Sequence, residues 1–109
     1  MNAEPVKEIL DKIEEITFSK EFREKVVKIR NITKDEINQN LKQTGKLIFA
    51  EDQGEEELGH KYGLLFSKSS KYDLKVVVSI KDKRLNVITS HVQNIKRRKV
   101  FEKWLRMQK

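Results

Sequence analysis

Apolar side chains at Val6, Ile9, Leu10, Ile13 and Ile16 recur three and four residues apart, the period of one helix face. Pro5 suits a first helical turn, where its missing N–H would have had no partner. The spacing predicts a helix over residues 5–15. Ile16-Thr17-Phe18 is short and β-prone. Ser19 can then cap a second helix, with Phe22, Val26 and Ile29 on one face. Thr33-Lys34-Asp35-Glu36 is a capping box, in which hydroxyl and carboxylate each satisfy a free backbone N–H. The third helix turns Ile37 and Leu41 inward and is expected to stop at Gly45, a natural residue just past a helix end. Beyond Gly45 the pattern becomes strand-like. Residues 46–50 read as a strand. Residues 51–59 hold five acids and two glycines and predict a mobile loop. Residues 60–67 read as a strand, followed by a Ser/Lys turn. Residues 74–80 and 85–92 are the strongest strands, rich in Val and Ile, and the polar 81–84 connection makes them a hairpin.

If Ile80 faces Leu85 in that hairpin, simple alternation sets Val78 against Val87, Val76 against Thr89 and Leu74 against His91. That face is apolar until its far end. The other carries Lys75, Val77, Ser79, Asn86, Ile88 and Ser90 and is mixed. Helices should cover the first face and leave the second to solvent or a ligand. A last amphipathic helix begins near Lys96. At roughly 100° per residue, Val100, Phe101, Trp104, Leu105 and Met107 fall within about half a turn and face a core, which makes Trp104 structural. Lys96, Lys99, Lys103 and Arg106 form a separate stripe. The architecture expected is α+β in one domain spanning 1–109: N-terminal helices, an antiparallel sheet of about four strands, and a C-terminal amphipathic helix over 93–109.

Composition narrows the chemistry. At 109 residues and 37% apolar, the chain can build one modest core. No apolar run of membrane-spanning length and no leader-like order of basic, apolar and small residues occurs, and the absence of cysteine excludes disulfides, thiol catalysis and Cys-based metal sites. A cytoplasmic location fits these features. There is no His cluster at metal spacing, no phosphate-cradling glycine loop and no nucleophile elbow, so neither metal nor cofactor is expected. Charge is more informative. The net charge is +7, but residues 1–59 hold 10 basic and 14 acidic side chains, and residues 60–109 hold 14 basic and 3 acidic, balances of −4 and +11. A one-sided basic field attracts phosphate and points to a polyanion such as RNA.

The two histidines, His60 and His91, are the groups that titrate near neutrality and could move protons in RNA cleavage. Sequence does not say whether they meet. His60-Lys61-Tyr62 sets an imidazole, an ammonium and a phenol in a row, with His60 and Tyr62 on one face of a strand. Arg97 falls among the apolar positions of the last helix: either the helix starts after it, or its guanidinium points at the mixed sheet face and could hold a phosphate bidentately. Lys61, Lys75, Lys96, Arg98, Lys99, Lys103 and Arg106 are the candidate phosphate contacts.

Several of these residues also carry a resemblance. Ile16-Thr17-Phe18-Ser19, a helix, and then Lys28-Ile29-Arg30-Asn31-Ile32-Thr33-Lys34-Asp35-Glu36-Ile37 resemble the opening of small toxin-like RelE/ParE-related domains. Val76-Val77-Val78 and Leu85-Asn86-Val87-Ile88-Thr89-Ser90-His91 resemble their closing strands. The wider group is the barnase–EndoU–colicin–RelE nuclease fold, and the likeness covers residues 16–92. Residues 1–15 form an additional helix. The resemblance implies a metal-independent endoribonuclease that activates the ribose 2′-hydroxyl, the toxin of a toxin–antitoxin pair, with RNA, free or on the ribosome, and an antitoxin protein as partners. Arg30 matches the arginine of the inter-helix phrase. Where related domains often have a His just after the Ser, this chain has Lys20-Glu21. The expected function is a small basic RNA-cleaving domain, with His60 and His91 as acid and base and Arg30 or Arg97 stabilising phosphate. The alternatives are a non-enzymatic nucleic-acid-binding or regulatory module of the same fold, and a toxin that inhibits a protein target.

Overall fold

A computed structural model describes residues 4–30, 32–57, 59–96 and 103. The first helix, α1 (Glu4–Asp11), buries Val6 and Leu10. The chain then leaves the helix, so Ile16 belongs instead to a short strand, β1 (Glu15–Phe18). Ser19 caps the next helical stretch: its Oγ accepts from the Phe22 N–H at 3.1 Å. That stretch opens with an α-helical turn at Lys20 and Glu21, is π-helical over Phe22–Val26, runs directly into α2 (Val27–Ile29) and turns Phe22 and Val26 into the core. Helix α3 (Lys34–Lys42) buries Ile37 and Leu41. Thr33 supplies half of the expected capping box, accepting from the Glu36 N–H at 3.1 Å. The Glu36 carboxylate pairs with Lys68 Nζ instead, at 3.0 Å from Oε2. The helix ends just before the expected stop: Gln43 is its C-cap, and Gly45 sits in a 3₁₀ turn (Thr44–Lys46) without a positive φ.

Four long strands complete the described chain: β2 (Leu47–Glu56), β3 (Gly59–Ser67), β4 (Tyr72–Lys81) and β5 (Arg84–Asn94). They pair antiparallel in sequence, and β1 joins the far side of β5 in parallel, giving the order β1-β5-β4-β3-β2. This corrects the architecture expected from sequence. A five-stranded mixed sheet dominates the described residues, the helical segments are short, and β1 is inserted between the first two of them, so the chain is not N-terminal helices followed by a four-stranded antiparallel sheet. The reason is backbone hydrogen bonding: residues 15–18 would be a lone extended stretch, and the free edge of β5 gives their N–H and C=O groups partners. Of the C-terminal helix expected over 93–109, Gln93 and Asn94 belong to β5 instead, Ile95 and Lys96 are helical and Lys103 is helical and exposed; Val100, Phe101, Trp104, Leu105 and Met107 lie outside the described residues.

The segment 51–59 is a second correction. It is the end of a hairpin, with strand pairing as far as Glu56↔Gly59. A bulge between Asp52 and Gly54 accommodates the irregular sequence, and Gly54 takes φ +92 there. One sheet face meets the helices. Leu64 and Phe66 of β3, Leu74, Val76 and Val78 of β4, and Leu85 and Val87 of β5 pack there against Phe22, Val26, Ile32, Ile37 and Leu41.

The hairpin of β4 and β5 follows the expected register only near its turn. Ile80↔Leu85 and Val78↔Val87 pair as alternation predicts, but the next partners are Val77↔Thr89 and Val76↔Ser90. Ile88 is the extra residue of a bulge, and every later side chain of β5 changes face.

Candidate functional site

The β5 bulge decides where His91 goes. Plain alternation would set it against fully buried Leu74; in the fold it stands opposite Lys75, on the sheet face opposite to the one that packs Phe22, Val26, Ile37 and Leu41. Ser90 takes the inward place, fully buried against Val76, and its Oγ–H donates to the Lys75 carbonyl at 2.7 Å. Lys61, paired with Ser79, shares the outer face, with Nζ 3.7 Å from Glu56 Oε1. Gly63 lies between. A Cβ there would crowd Gln53 Nε2 at 2.8 Å and would stand at ordinary contact distance from Lys75 Cε, 3.5 Å, and Glu51 Oε2, 3.6 Å, so the Lys75 stem lies over β3 at Gly63 with the Glu51 carboxylate nearby.

His60 is on the opposite face. Its partner Ile80 and the His91 partner Lys75 are five positions apart on β4, about 17 Å along a strand. The structure therefore separates the two imidazoles by both face and length, and they do not form one acid–base pair. His60 belongs to another cluster. Its Nε2 lies 2.5 Å from Asp52 Oδ1 and its Nδ1 2.6 Å from Glu55 Oε1, with the ring 4.6 Å from that of Tyr62 between centroids. Residues three apart on a regular strand point to opposite faces; the bulge at Gly54 brings Asp52 and Glu55 to the same one. Asp52 Oδ1 also accepts the Gly54 N–H at 2.9 Å, which fixes the bulge. Neither carboxylate was singled out from sequence, although Asp52-Gln53-Gly54 is a turn-forming signal.

A neutral imidazole has one N–H, so bonds from both nitrogens to carboxylates call for the imidazolium. Accordingly the Glu55 bond, then the Asp52 bond, raise the His60 pKa above its ordinary 6.5. The Gly54 N–H first, and His60 second, lower that of Asp52. Burial, then the charges of Asp52 and Glu55, raise that of Tyr62. This surrounding is negative and unsuited to an anionic substrate. It gives a pH dependence instead. With the folded pKa above the unfolded one, the His60 contribution to stability is full below 6.5 and is lost as pH rises through the raised value. Melting of wild type against His60→Gln should show the difference shrinking across that interval; a constant difference would mean that the imidazolium is not what the carboxylates bind.

Arg30 stands at the end of α2 with its side chain exposed, and Nη1 donates to the Ser90 carbonyl at 2.8 Å and to Thr89 Oγ1 at 3.3 Å. That end of the guanidinium is thus committed to β5, next to His91. Lys96 is exposed just beyond β5, its N–H on Asn94 Oδ1 at 2.9 Å. Lys103 is exposed. Arg97, Arg98, Lys99 and Arg106 lie outside the described residues. Among the described residues no group of three or more His, Asp or Glu could hold a metal ion, and Asp52 and Glu55 sit at opposite nitrogens of one ring rather than around a common point. Among the same residues no helix is long and apolar enough to cross a membrane. The chain matches no protein-family model, no curated protein and no solved structure.

Proposed function

We propose that the chain is a small RNA-binding domain of the RelE/ParE-like kind, and that RNA meets the sheet face bearing Lys61, Lys75 and His91. The observation that carries this reading is the Lys75–His91 pair, set side by side by the β5 bulge on the sheet face opposite the described helices of 20–42, within a half of the chain whose charge balance is +11. Cations on neighbouring strands can take successive backbone phosphates. A short mixed-sequence RNA is the probe. With about four phosphates contacted, affinity should fall about 50-fold between 50 and 200 mM salt, through counterion release. Lys61→Glu with Lys75→Glu should weaken binding at low salt while melting stays near that of wild type. Salt-independent binding, or wild-type affinity in the double variant, would exclude this face.

RNA cleavage is a second reading, favoured by the single imidazole on that face. The 2′-oxygen would attack the adjacent phosphorus and the bond to the 5′-oxygen would break; His91 would take the 2′-hydroxyl proton or protonate the leaving 5′-oxygen, and solvent water would make the other transfer. The product end is a 2′,3′-cyclic phosphate. A DNA strand should bind but stay uncut, and His91→Ala should slow cleavage about 10²–10⁴-fold. His60→Ala should leave the rate near that of wild type, because His60 is on the other face. Absence of cleavage with RNA alone and with ribosomes leaves binding as the function.

A further inference from the structure

A bulge needs support, because the extra residue takes β5 backbone groups out of the ladder. Carbonyls at and just beyond this one are met by the same helical stretch. Ser19, at its start, donates Oγ–H to the Ile88 carbonyl at 2.5 Å. Arg30, at its end, donates Nη1 to the Ser90 carbonyl at 2.8 Å and to Thr89 Oγ1 at 3.3 Å. Phe22 and Val26 between them are fully buried, so the stretch that carries both donors is anchored on the core. Parallel β1 reaches only Val87, and the Ser19 N–H extends its pairing by one bond, to the Val87 carbonyl at 2.9 Å. The β5 edge is thus strand-paired up to Val87 and side-chain-latched at Ile88 and Ser90.

We propose that Ser19 and Arg30 are positioning residues that lock the shifted register of β5 and so place His91 beside Lys75 on the RNA face. Without the shift, His91 would stand opposite Leu74, on the face that packs the core. This role rests on the RNA reading for its purpose, and on the hydrogen bonds alone for its structural half. It gives Arg30 a use different from direct phosphate binding: its cation acts on the sheet, and the sheet presents His91.

The two halves can be tested apart. In a His60→Gln background, His91 supplies the only imidazole signals in the nuclear magnetic resonance spectrum. The parent should show contacts from the His91 ring to the Lys75 side chain. Arg30→Ala should make the Thr89 and Ser90 amides exchange about tenfold faster, weaken the His91–Lys75 contacts and reduce RNA affinity about tenfold, the scale of one charge-assisted hydrogen bond. Arg30→Lys, which keeps a donor for the Ser90 carbonyl, should recover most of all three. Ser19→Ala should act in the same direction. Deleting Ile88 should carry His91 to Leu74; if that variant does not fold, the Arg30 series decides alone. Unchanged exchange and unchanged ring contacts in Arg30→Ala overturn the proposal. So does a loss of RNA affinity with both unchanged, which would mean that Arg30 touches RNA directly. If the parent binds no RNA, the RNA reading fails, while exchange and ring contacts still decide whether Arg30 sets the register.

Discussion

Phe22→Ala should destabilise the domain by about 3–5 kcal/mol, the usual range for truncating a buried aromatic side chain. Phe22 is fully buried, lies against Phe18 with ring centroids 4.8 Å apart, and its N–H closes the cap on Ser19 Oγ. The ring therefore joins β1, the helical stretch and the sheet at one point. At this chain length the loss should lower the melting temperature by about 15 °C or more. Because Ser19 and Arg30 flank the same stretch, protection of the Thr89 and Ser90 amides should fall with it. A cost below about 1 kcal/mol would show that the helical stretch does not close the core.

Gly59→Ala should cost about 3 kcal/mol or more, combining backbone strain with a steric clash that cannot relax cheaply. Gly59 has φ +128, and a Cβ there would lie 2.5 Å from the Ile80 carbonyl oxygen and 2.8 Å from its carbon, both backbone atoms. The only relief is to part β3 from β4. Since His60 is the very next residue, that movement should also loosen its bonds to Asp52 and Glu55 and bring its pKa back toward 6.5. Gly54→Ala is the comparison: φ is +92, but nothing lies within 4 Å of the added carbon, so only the backbone term of about 1–2 kcal/mol applies. Denaturant unfolding of the two variants separates these terms. Equal losses would show that the Ile80 contact contributes nothing.

The features legible in the sequence were local. Ser19 and Thr33 cap helices because a short hydroxyl side chain before an apolar run has few better uses, and the turn-proximal register of β4 and β5 comes from matching Leu85 and Val87 to Ile80 and Val78. The misreadings all lie where the chain departs from a fixed period. The acids of 51–57 suggested a loop because composition registers charge, whereas a bulged hairpin end can carry charge on both faces into solvent. The β5 shift does leave a trace: its apolar positions move from odd numbers, Leu85 and Val87, to the even Val92. Alternation without a bulge assigned His91 to the apolar face, and on that assignment a meeting with His60 stayed open. The parallel pairing of β1 has no local signature, since four residues with β propensity fit an edge of either direction.

That pairing has a consequence for how the protein is made. Strand β1 and its strand partner among the described residues are separated by 69 residues, as in Phe18↔Val87. At about 5–20 residues per second, a growing chain exposes β1 and the start of its helix for roughly 3–14 s before β5 exists. The antiparallel strands can zip in order as they appear, but Ile16, Phe18 and Phe22 wait for the last of them. Within this sheet the first strand made is thus the last to find its place, and the sheet becomes whole only once β5 has followed the other three.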